Sequence, residues 1–406
     1  MTRFKLDARW AIVAVGFVAL SLAFSGRSML SLAMAEWTTE FGWTKAAISS
    51  VMTVTLVAMA GLAPLVGYAI DRSGPRVILT AGLVLVGASS AVLAGMHSML
   101  AFIIGFAVLG ALGFGLVANH AVSSAVARSF DVGQGRAIGI ATSGSTAGLF
   151  VLMPLLGLLL ASGGWRLGYQ ALAGACVLMA LVAWWLLRNA GAATALRGPA
   201  EGAQESFVAR VGYLLRRPTF HGLFWSYTLC GYTSTGVVET HLIPFAQFCG
   251  IPPAPSALAF GILMGVNAVG MVAAGFLTDR MNRTVLLASI YFFRSLTFLM
   301  LPLLIDQTAV LWIFAFLFGM FDYATVPPTA SLAASHLGKA RVGTAMGLLS
   351  GGHAIGAAIG AFAGGYIFDA TGGYTWLWSS SFGLALAAAM IAGLVPARAR
   401  AIPATA

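Results

Sequence analysis

A small set of polar side chains stands inside long apolar runs: Arg27, Asn119, His120, Tyr232, Glu239, His241, Asn267, Arg294, Asp322 and His353. An ionisable group in hydrocarbon is costly unless it is paired or faces a cavity, so each marks a potential functional site. A guanidinium can hold a carboxylate through two parallel bonds, which makes Arg27 the leading anion-binding residue. Glu239, Asp322 and His241 are suited to carrying protons. His353, between small glycines, can be a conditional cation, a proton carrier or a hydrogen-bond donor. Asn119, His120, Tyr232 and Asn267 can supply uncharged contacts, although a histidine satisfied within the core is the competing reading for His120. Two pairings compete with these roles. Arg27 and Glu239 can approach each other, and mid-span Asp322 can pair with mid-span Arg294, because neither charge is stable alone. The sequence shows no phosphate-binding glycine loop, catalytic triad or metal-ligand spacing. It therefore points away from an enzyme, with no cofactor and no metal expected.

The elements that must position these residues are membrane helices. The chain has 406 residues, 59% of them hydrophobic and only 8% charged, with a mean hydropathy of +0.92. Water-facing surfaces need more polar area than that. A spanning helix takes roughly 20 apolar residues. Twelve apolar runs are bounded by Gly, Pro and charge: 10–34, 46–70, 77–96, 100–126, 136–161, 167–188, 219–247, 257–278, 284–304, 308–334, 342–368 and 374–396. The predicted fold is all-α, with twelve transmembrane helices in two pseudo-symmetric six-helix bundles. They divide as 1–188, a cytoplasmic linker over 189–218, and 219–406.

Of the 22 basic residues, 18 fall on one side of this topology, Lys45 and Arg166 on the other, and Arg27 and Arg294 within spans. That asymmetry places both termini in the cytoplasm. Arg3, Lys5, Arg197, Arg398 and Arg400 are among the 18. The net charge of +10 forms no basic face, which argues against nucleic acid as a partner. Cys176, Cys230 and Cys249 read as small core residues. The first apolar run is too long for a signal-peptide core and reads as an uncleaved helix.

The halves repeat. Gly67, Asp71 and Arg72 recur 208 residues later as Gly275, Asp279 and Arg280, and Gly139, Gly144 and Gly148 recur as Gly347, Gly352 and Gly356. Six helices per repeat make the repeats parallel, an arrangement suited to two bundles rocking about a central site.

Gly67-Tyr-Ala-Ile-Asp71-Arg72-Ser-Gly74-Pro-Arg76 resembles the loop between helices two and three of the major facilitator superfamily. Its echo is Gly275-Phe-Leu-Thr-Asp279-Arg280. The resemblance implies a cytoplasmic gate built from Gly67, Asp71, Arg72, Arg76, Asp279 and Arg280, with charge-assisted bonds across the bundle ends. Within that superfamily, three stretches resemble the monocarboxylate and oxalate/formate branch: Arg136-Ala-Ile-Gly139-Ile-Ala-Thr-Ser-Gly144, Gly163-Gly-Trp165-Arg166 and Thr240-His241-Leu-Ile-Pro244. In such proteins helices 1, 4, 7 and 10 line the cavity. The resemblance sets Arg27 near a basic residue that engages substrate or proton partner, and His353 near a substrate-binding lysine. One departure matters: Met271 occupies the helix-eight position where the branch often carries arginine.

The expectation is a secondary transporter of a small organic anion, monocarboxylate-like. It would run by proton symport or anion exchange, with rocker-switch alternating access. The alternative is export of a neutral or amphipathic compound. A sensor or membrane enzyme on the same scaffold has no supporting residues. The expected partners are the anion, protons and the lipid bilayer, for a chain functional as a monomer in a bacterial inner membrane.

Overall fold

The computed structural model describes residues 8–189, 205–303 and 308–397. The charges at Arg3, Lys5, Arg197, Arg398 and Arg400 lie outside the described residues. Among the described residues there is no strand, and the apolar runs become helices in the order expected.

Among the described residues, nine helical runs are long and apolar enough to cross a membrane. Two of these are each a pair of spans joined at one glycine: Gly74 (φ 76°, ψ 170°) inside Lys45–Ala94 and Gly164 (φ 73°, ψ 175°) inside Gln134–Leu186. Only glycine takes that backbone conformation without strain, so each glycine reverses the chain with almost no loop. The run 218–248, which carries Glu239 and His241, brings the count of long helices among the described residues to twelve. The helices are α1 (Ala8–Phe41), α2 (45–73), α3 (75–94), α4 (Met99–Ser129), α5 (134–163), α6 (165–186) and α7 (218–248). They continue as α8 (Pro253–Arg280), α9 (Arg283–Thr297), α10 (Thr308–Leu337), α11 (Val342–Thr371) and α12 (Thr375–Gly393). Side-chain caps set several starts: Thr44 accepts from the Ala47 amide, Ser98 from Ala101, and Asn282 from Thr284 and Val285. A further short helix, Phe207–Leu215, is capped by Ser206.

Within each half, small residues bring helices together at the same register. Gly144 and Gly148 of α5 lie against the α1 backbone at Phe17 and Ser21, and the Ser21 hydroxyl donates to the Gly144 carbonyl at 2.9 Å. The residues 208 later, Gly352 and Gly356 of α11, lie against Phe224, Thr228 and Tyr232 of α7. Without an apolar-aqueous drive between helices in lipid, such close backbone packing carries much of the association. Large apolar side chains such as Leu178, Leu181, Trp185, Phe292 and Ile313 are left exposed, as lipid contact requires.

We call the end bearing the Asp71 and Asp279 turns basal and the opposite end distal.

Candidate functional site

The basal seam is held by two carboxylates, each at the start of a helix from the other half. Asp71, at the end of α2, accepts from the backbone amides of Gly343 and Thr344, both at 2.9 Å, and from the Thr344 hydroxyl at 3.0 Å. Asp279, at the end of α8, accepts from the amides of Gly135 (2.7 Å) and Arg136 (2.9 Å). Each carboxylate thus satisfies orphan N–H groups and sits at the positive end of a helix dipole. The two contacts are related by the 208-residue offset: Asp71 to Asp279, Gly343 to Gly135, Thr344 to Arg136. Glycine makes the approach possible, because a Cβ at Gly275 would lie 2.6 Å from the Gly135 carbonyl oxygen. Lys339 and Asp131, themselves 208 apart, meet at 2.5 Å. A residue that touches its own repeat partner lies at the pseudo-twofold axis.

The two carboxylates are not equally guarded. Buried Asp71 also receives Arg128 from α4 (Nη1 to Oδ1 3.3 Å) and Arg210 from the short helix (Nη1 to Oδ2 3.1 Å). Asp279 is exposed. The short helix straps the same side of the seam. Glu205 takes a two-bond grip from Arg341 at 2.8 and 2.5 Å, and Arg210 also donates to the Ala340 carbonyl at 3.0 Å. Arg341 lies 4.0 Å above the Tyr213 ring, and Phe207 meets Tyr68 edge-on. The Arg341 guanidinium holds the Glu205 carboxyl below the usual carboxylate range.

Nearer the centre, regular helix gives way. Residues Tyr232–Val238 of α7 are π-helical, and the Thr240 hydroxyl donates to the Thr235 carbonyl five residues back. In α10, Phe321 ends one helical segment, Tyr323–Thr325 form a 3-10 turn, and Pro327-Pro328 begin the next. Prolines there have no N–H to bond, so the break costs little at a segment start. α4 is broken too, without a proline, at Val117 and Ala118, just before Asn119 and His120.

These breaks expose backbone and polar side chains in two layers. The deeper layer is buried. Arg294 donates from Nη1 to Ser234 Oγ (2.8 Å) and Cys230 Sγ (3.2 Å), and from Nη2 to Thr233 Oγ1 (3.3 Å). Its Nη1 is 3.8 Å from Asp322 Oδ1. Asn267 donates to Asp322 Oδ2 at 3.1 Å and accepts from the Tyr323 amide at 2.8 Å. The shallower layer is half-buried and comprises Arg27, Asn119, Tyr232, Thr235, Glu239, Tyr323 and His353. The Tyr323 hydroxyl donates to Glu239 Oε1 at 3.1 Å and Thr235 Oγ1 donates to the same oxygen at 3.2 Å. Glu239 is therefore linked through Tyr323 and Asn267 to the buried Asp322–Arg294 pair. Arg27 makes no hydrogen bond or ion pair among the described residues. Its guanidinium lies 4.7 Å over the Phe24 ring and within electrostatic range of Glu239 and Tyr323.

The Major Facilitator Superfamily profile matches residues 16–350. The chain belongs to that superfamily. Among curated relatives, it is 27% identical to YcxA, an MFS-type transporter of Bacillus subtilis (strain 168), over 90% of each chain. It is 28% identical to monocarboxylate transporter 12-B of Danio rerio over 90% of this chain and 82% of that one. It is 24% identical to monocarboxylate transporter 13 of Rattus norvegicus over 90% and 84%. Its fold is similar to two solved structures. One is the human organic anion transporter MFSD10, with a TM-score of 0.75, 17% identity and coverage of 95% and 99%. The other is the proton:xylose symporter XylE bound to 6-bromo-6-deoxy-D-glucose, with a TM-score of 0.71, 14% identity and 98% of both chains covered. The protein is a membrane transporter with the twelve-helix, two-bundle architecture of that superfamily.

For this superfamily member, the structure distributes the sequence-predicted residues unevenly. Of the gate set, Gly67, Asp71 and Asp279 lie in the seam. Among the described residues, Arg72 reaches only Tyr68 of its own helix, at 3.2 Å. Arg76 donates to the Trp184 carbonyl and stacks on that ring, inside its own half. Arg280 is exposed. Among the described residues, the guanidiniums that reach Asp71 are those of Arg128, from the same half, and Arg210, from the short helix, and the cation that crosses from one half to the other is Lys339, to Asp131.

His241 is held at the α7–α11 interface, with Nε2 3.0 Å from the Ala361 carbonyl and its ring in the notch left by Gly364. The residues it meets there, Ala361, Gly364 and Tyr374, are not those of the half-buried layer. His120 is buried with Nε2 unpartnered. Asn119 reaches Ser145 Oγ at 3.5 Å. His353 stands 4.9 Å from the Tyr227 ring. Met271 is buried, with Thr146 Oγ1 donating to its sulfur at 3.9 Å, so this seam position holds no cation. Tyr323, Ser234 and Cys230 did not emerge from the sequence. The signal for Tyr323 was its place beside Asp322 and before the proline pair.

Proposed function

We propose that this transporter carries a small, monocarboxylate-like organic anion coupled to protons, by symport or exchange. The bundles, 1–188 and 219–406 about the 189–218 linker, rock between states. The observation that carries this reading is the contrast between the two mid-span arginines. Arg294 is tied to Ser234, Cys230, Thr233 and Asp322, whereas half-buried Arg27 has no such partner among the described residues. A cation in that setting needs an anion, and a carboxylate fits its paired donors. Glu239, within electrostatic range of Arg27, is the group that can release or take a proton when a substrate carboxylate arrives. The similarity to relatives named monocarboxylate transporters supports the substrate class. The basal end, with the termini, is read as cytoplasmic, the chain as a monomer, and the membrane as a bacterial inner membrane. With the basal seam closed, the layer that holds Arg27 and Glu239 would be reached from the distal end. Met271, in place of a helix-eight cation, favours the second reading, export of a neutral or amphipathic solute.

The test is uptake of short-chain carboxylates into proteoliposomes with and without an imposed pH gradient. Arg27→Gln should raise KM for the anion roughly 10- to 100-fold, the worth of charge-assisted bonds to one carboxylate. Unchanged anion uptake in that variant sinks the assignment. Uptake indifferent to the gradient removes the proton coupling, and flux of neutral amphiphiles alone establishes the second reading.

A further inference from the structure

The turn between α8 and α9 and the basal end of α10 enclose a groove. Asn282, Arg283, Ser335 and His336 line it, with Met281 and Leu332 as apolar walls. The duplication explains why the groove is open. The residue 208 before His336 is Arg128, which in the first half extends to the Ile70 carbonyl (3.0 Å) and Asp71 (3.3 Å) and fills the corresponding place. His336 is shorter, and its ring is drawn to the Pro396 carbonyl (2.8 Å) and the Leu332 carbonyl (3.1 Å). The residue 208 before Arg283 is Pro75. The second half has therefore lost a filling side chain and gained a cation. Arg283 is half-buried and forms no hydrogen bond or ion pair among the described residues. Arg280, one turn away, is exposed.

The groove lies where membrane-crossing segments end, between Leu258–Arg280 and Arg283–Pro302. Phospholipid headgroups occupy that level. Apolar side chains beside it face outward: Leu277 is 41% exposed, Met281 48% and Val285 53%. We propose that this groove binds the headgroup phosphate of an anionic phospholipid. Arg283 holds the phosphate oxygens, Ser335 and Asn282 border them, and the acyl chains run along Leu277 and Val285. The apolar border favours a lipid over a soluble anion, because a free phosphate gains nothing from it. Basic pockets among membrane helices are suited to such headgroups.

Native mass spectrometry of the full chain, released from nanodiscs of mixed phosphatidylglycerol and phosphatidylcholine, tests this. Phosphatidylglycerol should be retained in preference to phosphatidylcholine. Arg283→Ala should lower its retention about fivefold, the worth of one basic residue near an anionic surface. Arg283→Lys should keep most of it, and stands in should the alanine variant fail to fold. Arg216→Ala, at an exposed arginine outside the groove, should leave it unchanged. Equal retention of the two lipids, or wild-type retention in Arg283→Ala, overturns the proposal. Displacement of phosphatidylglycerol by millimolar inorganic phosphate also overturns it, because the ligand would then be a soluble anion.

Discussion

Arg294 and Asp322 show how a costly pair of charges is kept in a membrane helix bundle. Neither is exposed, and their charged groups approach no closer than 3.8 Å, so direct attraction is only part of what holds them. The guanidinium spends its hydrogens on hydroxyls and a thiol, and the carboxylate takes the Asn267 amide. A buried pair of this kind contributes little net stability, whereas losing one partner strands the other. Arg294→Met alone should therefore destabilise the protein by about 3–5 kcal/mol in an unfolding titration. Arg294→Met with Asp322→Leu should recover most of that loss. Additive losses in the double variant would show that the two do not act as a unit. At this scale the sequence was half legible. Charges inside apolar runs stand out by cost alone, but Arg128 and Arg210 look like ordinary topogenic arginines. Only the folded chain shows that both converge on Asp71.

The elements matter through their ends and their breaks. α11 begins on a carboxylate from α2 and α5 on one from α8, so opening the basal seam uncaps two helices at once. The duplication makes these contacts equivalent in geometry, and Arg128 and Arg210 make them unequal in strength. Asp71→Asn removes the charge that both guanidiniums reach and should raise the basal-open population about 10- to 100-fold, the effect of breaking charge-assisted bonds at a buried site. Asp279→Asn, exposed and at one helix start, should raise it only about two- to fivefold. Distance distributions between spin labels on exposed Ser73 and Ser335, which lie in opposite halves, read both populations. Equal broadening in the two variants would refute the ranking. Helix positions were legible in sequence because apolar length alone defines a span. The π-helical turns of α7 and the 3-10 turn of α10 were not, because inserting one residue into a helix hardly alters its apolar run. Pro327-Pro328 gave the only local warning of either.

The whole molecule is a duplication with one part that is not duplicated. The offset of 208 was legible in the motifs and reappears as paired contacts across the seam, ending in Asp131 against Lys339. The connector between the halves occurs once, so the symmetry must fail where it lands. It lands on the α2–α11 side, through Arg210 on Asp71 and Glu205 on Arg341. Composition marked that stretch as a polar linker, and nothing local showed that Ser206 would cap a helix there or that its arginine would turn inward. The consequence is a strap that stiffens one side of the basal seam and depends on pH. Arg341 holds the Glu205 carboxyl below its ordinary range. A carboxyl lowered in the closed state stabilises that state above its free pKa, and the contribution is lost as pH falls through the lowered value. The pair is partly exposed, so it contributes about 0.5–1 kcal/mol to closure at neutral pH. Glu205→Gln should therefore shift the Ser73–Ser335 distances toward the open state at pH 7. The difference from the parent protein should shrink as pH falls below about 4, near the free carboxylate value, because both chains then lack the charge. A variant with parental distances at pH 7 would show that the strap rests on Arg210 and Asp71 alone.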